Sequence, residues 1–180
     1  MNIKLAALSL LAASVWAGDW TAPVAVGLGD EHAVSYRAKL DGEFLVVEAT
    51  QVNGWHTYAM DNEERAKEAL KGKQSLGIDA PTQITVGGGL ALAGPWKQSE
   101  PHDYSKPAMR WYTWGYDAPA LFAAKVKKTG AGAGEIGIRG QACDDKRCKN
   151  IDITLSVPAD GFGGKATLDL SNLIAVRPGS

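Results

Sequence analysis

Apolar and polar residues alternate with a period of two along much of this chain. Val34, Tyr36, Ala38 and Leu40 fall on one side, and Ser35, Arg37 and Lys39 on the other. That is the pattern of a strand with one buried face. Asp41-Gly42 follows as a hairpin turn, and 44–52 reads as a more deeply buried strand. Further strands are predicted at 83–86, 90–93, 109–114 and 121–126. The clearest pair is 135–142 and 151–157. In the second of these, Ile151, Ile153, Leu155 and Val157 face one way, and Asp152, Thr154 and Ser156 the other.

One helix interrupts the strands. Asp61 and Glu64 have the spacing of a capping box, Ala66, Ala69 and Leu70 supply an apolar stripe, and Gly72 supplies a stop. About seven to nine short strands with turn-rich connections predict an all-β fold, an immunoglobulin-like β-sandwich with one short helix. The run Gly130-Ala131-Gly132-Ala133-Gly134 resembles a phosphate-binding glycine run. No helical pattern follows it, so it is expected to be a hairpin loop.

The chain has 180 residues, enough for one domain with a substantial core. Residues 1–17 read as a signal peptide. Lys4 begins it, an apolar run follows, and Val15-Trp16-Ala17 is the cleavage site. The domain is then 18–180, exported to the periplasm or secreted, with a mature charge of −2. The apolar run is too short to span a bilayer, and no second one follows, so the mature protein is expected not to span the membrane. With 19 basic and 20 acidic residues in the whole chain, no basic stripe marks a nucleic-acid partner.

Export changes the meaning of the two cysteines. Outside the cytosol a nearby pair is expected to be a disulfide. Cys143 and Cys148 flank Asp144-Asp145-Lys146-Arg147, between the two clearest strands. They are thus opposed across a hairpin, where Cα atoms lie about 4.5 to 5.5 Å apart. A disulfide needs about 4.4 to 6.8 Å. A structural staple is the plain alternative. A closed loop this short contributes only about 2 kcal/mol in the chain-entropy account, and the turn already closes the hairpin. Cys148 lies beside Arg147 and Lys149, and Cys143 beside Asp144 and Asp145. Cationic neighbours favour a thiolate, so Cys148 is expected to be the more acidic, attacking thiol.

The stretch from Ile138 through Arg139-Gly140-Gln141-Ala142-Cys143 to Cys148 resembles the redox hairpin of the N-terminal domain of DsbD, the bacterial disulfide reductase. Gly54-Trp55-His56-Thr57-Tyr58 is similar to that family's Gly-aromatic-x-x-Tyr segment. Pro81-Thr82, Gly94-Pro95-Trp96 and Asp103-Tyr104 keep the family's order of landmarks. The resemblance implies a periplasmic immunoglobulin-like domain that takes electrons from a thioredoxin-like donor or membrane reductase and passes them to oxidised periplasmic proteins. It implies that Cys148 forms the mixed disulfide and Cys143 resolves it. The chain departs from the family in having four residues between the cysteines where the best-known members have five. Lys149-Asn150 replace the aromatic and prolines that often follow. The sequence contains no C-x-x-C and no membrane-spanning electron carrier, so it is read as a stand-alone relay or as a relative that kept the fold and changed its task.

Other side chains support the pair. His56 and Tyr58 are expected to flank the sulfurs and steer proton transfer. The segment 95–107 shows no strand pattern and is expected to cap the disulfide through Tyr104, with Trp96 as the alternative; His102 and Asp103 would keep its outer side wet. His32, His56 and His102 lack metal-ligand spacing, and no metal or cofactor is expected. The aromatics Trp55, Trp96, Trp111, Tyr112, Trp114 and Tyr116 should divide between core and surface. They sustain a second reading, an exported β-sandwich module that binds glycan or protein and carries a structural disulfide.

Overall fold

The computed structural model describes residues 18–75, 77 and 79–179. The segment 1–17 read as a leader lies outside them. Strands and one helix follow in the order β1 (Val24–Leu28), β2 (Glu31–Asp41), β3 (Phe44–Gln51), β4 (His56–Tyr58), α1 (Asn62–Leu70), β5 (Gln83–Gly88), β6 (Leu90–Gln98), β7 (His102–Asp103), β8 (Trp114–Tyr116), β9 (Ala120–Lys128), β10 (Gly134–Cys143), β11 (Cys148–Val157) and β12 (Ile174–Ala175).

They form two antiparallel sheets and one short helix, the all-β sandwich that the alternation predicts. One sheet runs β1-β2-β3-β9-β6-β12. The other runs β11-β10-β4-β8-β7, with β5 also on β10. The core lies between them. Tyr36, Leu40, Leu45, Val47 and Phe122 come from the first sheet, and Ile136, Ile138, Leu155 and Val157 from the second; all are 2% exposed or less. Each such side chain contributes about 1.5–3 kcal/mol by leaving water. Asp41 and Phe44 close the β2–β3 hairpin around Gly42, whose φ of 65° favours a residue without a Cβ.

Four local expectations are corrected. First, 109–114 is not a strand. Pro107–Met109 forms a 3-10 turn, Arg110 is left-handed (φ 51°), and Lys106 and Trp111 make an isolated bridge before β8 begins at Trp114. Pro107, which cannot donate to a ladder, opens that turn. Second, 95–107 is not irregular throughout. β6 continues to Gln98 past a register shift between Leu92 and Trp96, and β7 follows. Pro95 lies within that shift, where the ladder is interrupted and a missing N–H costs nothing.

Third, Asp61 precedes the helix but its side chain does not cap it. Its buried carboxylate instead accepts from Arg65 Nε (2.8 Å), Gln98 Nε2 (2.6 Å) and the Arg177 backbone N–H (3.2 Å). Fourth, the glycine run is not a hairpin loop, because β9 and β10 lie in different sheets. It carries the chain across the sandwich edge.

The last part of the chain wraps back over the sandwich. Asp41, fully buried, accepts from the backbone N–H groups of Thr167 and Leu168 and from Lys39 Nζ. Two buried carboxylates, Asp41 and Asp61, thus tie the C-terminal segment to the domain.

Candidate functional site

β10 and β11 pair without interruption from Gly134↔Val157 to Cys143↔Cys148. Apolar alternation on both strands fixes the register, which sets the cysteines opposite each other at the tip. They form a disulfide, with S–S 2.04 Å and a Cα–Cα distance of 4.0 Å, shorter than the span expected for opposed residues of a hairpin. The two sulfurs are not equivalent in environment. Cys143 is 3% exposed, whereas Cys148 is exposed to solvent.

The tip is built on Asp144. Its Oδ1 accepts from the backbone N–H groups of Lys146 (2.7 Å) and Arg147 (2.8 Å), and its backbone N–H donates to Arg147 O (2.9 Å). These bonds hold its carboxyl below the usual carboxylate range. Arg147 Nε reaches Asp144 Oδ2 at 3.2 Å, and its guanidinium also pairs with Glu31. Glu31 in turn accepts from Trp55 Nε1 (3.3 Å), and Arg147 lies over the Trp55 ring. Arg147 is therefore committed to two carboxylates. Beside the cationic flank expected to favour Cys148, the two sulfurs also differ in burial.

On its other side β10 pairs with β4, where Cys143 stands opposite His56. Tyr58, two residues on, shares that face of β4, and its hydroxyl is 3.1 Å from His56 Nε2. β4 and β8 approach closely at Gly115, where a Cβ would lie 2.1 Å from Thr57 O; only glycine fits there. Burial holds the His56 pKa below its ordinary value, against the opposing pull of Asp79, Asp145, Asp117 and Asp144. Burial, with Asp79 beside the hydroxyl, pushes the Tyr58 pKa up.

A flap made by β7, the 3-10 turn and β8 closes the third side. Tyr104 packs on His56, with ring centroids 5.7 Å apart. Burial and the nearby Asp117 push its pKa up to about 12. Trp111 Nε1 donates to Asp79 Oδ2 (2.9 Å). Together these groups line a cleft of about 830 Å³ that also contains both cysteines.

The structure therefore brings His56, Tyr58 and Tyr104 to Cys143 and Cys148. Trp96 is not among them. It lies on β6 in the core, 9% exposed, and pairs in register with Ala124. Asp103 is exposed at the edge of the flap, where it accepts from Ser105 N (2.8 Å). Sequence reasoning missed Glu31, Asp79, Lys106 and Asp117. None carries a motif, since each reaches the cleft or the tip only through the sheet topology. Among the described residues no cluster of three metal-ligating side chains occurs, and no helix is long and apolar enough to cross a membrane.

No family model matches the chain, and no curated protein matches it. Among solved structures it is similar to the N-terminal domain of DsbD from Neisseria meningitidis in the reduced form, with 13% identity and a TM-score of 0.46, covering 69% of this chain and 83% of that one. It is also similar to the GAE domain of GGA2p from Saccharomyces cerevisiae, with 8% identity and a TM-score of 0.37, covering 76% of this chain and 98% of that one. Scores below 0.5 leave the chemistry of the site to rest on its own residues.

Proposed function

We propose that this domain is an exported thiol–disulfide exchange relay, working through Cys143 and Cys148 in the periplasm or outside the cell. The observation that carries the reading is the contrast between the two sulfurs at a tip beside an open cleft. Cys148 is the solvent-exposed member, the one a partner's thiolate would reach first. Attack there forms a mixed disulfide with Cys148 and releases Cys143 as the thiolate. A second partner thiolate then attacks the partner's sulfur of that bond, frees Cys148 and leaves the domain as a dithiol. The dithiol passes its two electrons to a disulfide in another exported protein and closes again. A thioredoxin-like protein or membrane reductase suits the first role, because it supplies two thiols in one surface.

A staple has little to do at this position. The hairpin is already held by its ladder, and a bridge that closes six residues adds only about 2 kcal/mol. The binding-module reading needs the disulfide to be inert. The reduction potential of the domain decides between them. Equilibration against a glutathione or dithiothreitol series should give a value more oxidising than about −300 mV. A value well below that makes the pair a staple and removes the relay reading.

A further inference from the structure

β11, β10 and β4 lie side by side, and their register puts Cys148, Cys143 and His56 in one row across three strands. Neighbouring strands are about 4.8 Å apart. The row therefore reads outward sulfur, buried sulfur, imidazole. Exchange is a displacement at sulfur, with the entering and leaving sulfurs on opposite sides of the one attacked. A nucleophile that attacks Cys148 comes from the side away from β4. The electron pair of the broken S–S bond collects on Cys143, which is the side where His56 stands.

We infer that His56 is the proton partner of Cys143, a positioning and proton-transfer residue that serves the buried sulfur and not the attacked one. This rests on the exchange reading of the site. When the disulfide closes, the Cys143 thiol gives its proton to the imidazole. The resulting thiolate attacks Cys148 Sγ in the mixed disulfide, the partner's sulfur leaves as a thiolate, and the imidazolium returns its proton through the cleft to water. When the disulfide opens, the same steps run backwards, and the imidazolium protonates the thiolate that leaves from Cys143. No further oxidant or reductant enters.

The surroundings suit this task. Nε2 of His56 is engaged by Tyr58, and among the described residues Nδ1 has no hydrogen-bond partner. Tyr58 on its own strand and Tyr104 on the flap both have raised pKa values, so neither competes as an acid near neutrality. From the hairpin, Asp144 and Arg147 face the cleft as a closed pair, beside Asp145 and Lys146. Asp79 is held by Trp111, and Asp117 and Lys106 complete the charged lining. Burial lowers the His56 pKa, and the carboxylates of Asp79, Asp145, Asp117 and Asp144 pull against it.

The test uses a Cys148→Ser protein, in which Cys143 is the sole thiol. Its thiolate is followed by ultraviolet absorbance against pH. Coupled sites titrate in two macroscopic steps, and that two-step curve is the expected result. His56→Phe should collapse it to a single step with about tenfold less thiolate at neutral pH. His56→Gln keeps a polar side chain without the titration and should behave like the Phe variant, which separates proton transfer from packing against Tyr104. A curve unchanged by both substitutions overturns the inference. The titration needs no partner, so it is read separately from the potential: a very negative potential ends the relay reading without touching this result.

Discussion

Cys143 and Cys148 are bonded to each other yet only one of them meets solvent, the first 3% exposed and the second at the surface. The asymmetry of burial supports the proposed roles, and Arg147 is paired with Asp144 and Glu31. Cys143→Ala should leave a free Cys148 that traps a covalent complex with a thioredoxin-like protein whose single active-site cysteine is activated as a mixed disulfide with thionitrobenzoate, which leaves as the thiolate. Cys148→Ala should trap little. Non-reducing electrophoresis reads both, and trapping only by Cys148→Ala would reverse the roles.

Tyr104 and Trp96 are both aromatic residues of the segment expected to cover the sulfurs, and they should respond differently to removal. Tyr104→Ala opens the flap side of the cleft, so a small thiol should reduce the disulfide several-fold faster in a protein of nearly unchanged stability. Trp96→Ala empties core volume and should cost about 3–5 kcal/mol, with no direct effect on access to the sulfurs. Stopped-flow reduction and urea unfolding separate the two effects. Equal reduction rates in the parent and Tyr104→Ala would show that Tyr104 is no cap.

The ion pair of Arg147 with Glu31 is half-exposed, and pairs of that kind contribute about 0.2–1 kcal/mol. Glu31→Gln should therefore change global stability by less than about 1 kcal/mol. It should still speed reduction of the disulfide measurably, because the tip loses its tether to β2. High salt should produce the same acceleration in the parent protein. A variant whose reduction rate stays insensitive to salt and equals the parent's would show that the tether does not govern access.

Asp41 and Asp61 are expected to contribute to the loss of stability on acidification. Burial works to raise both pKa values, but it is outweighed: at Asp41 by Leu168, Thr167 and Lys39, and at Asp61 by Arg65, Gln98 and Arg177. Both folded pKa values lie below the ordinary value. Their contribution is thus present above about pH 4 and is lost as pH falls through the folded values. Asp61→Asn leaves the guanidinium of Arg65 buried without its counter-charge and should cost about 3–5 kcal/mol at neutral pH. Its stability should also fall less steeply on acidification than the parent's. Urea titrations at several pH values give both quantities; parallel acid slopes would remove Asp61 from this role.

Alternation carried the architecture. The strands at 34–40, 121–126, 135–142 and 151–157 lie inside β2, β9, β10 and β11 because each has one face in the core and a period of two. The disulfide was legible for the same reason, since two well-marked strands fix what lies at their tip. The flap was not. Trp111 and Thr113 alternate with Tyr112 and Trp114 like a strand, yet the backbone there is set by Pro107 and left-handed Arg110. Asp61 was misread because a capping pattern and a buried charge cluster use the same residue type, and only tertiary contacts distinguish them. His56 and Tyr58 were placed near the cysteines by the resemblance of segment 54–58 to the family's Gly-aromatic-x-x-Tyr segment. Asp79 and Glu31 became visible only when long-range pairing brought them in.

A domain whose disulfide shows one sulfur to solvent has a single doorway. In the proposed relay, whatever delivers electrons and whatever removes them would stand on the same spot, so the two would exclude each other. In the relay, turnover then alternates between two half-reactions, and an excess of either partner slows the other by occupancy alone. In the proposed relay, the burial of Cys143 would set the order of traffic as well as the chemistry of the bond.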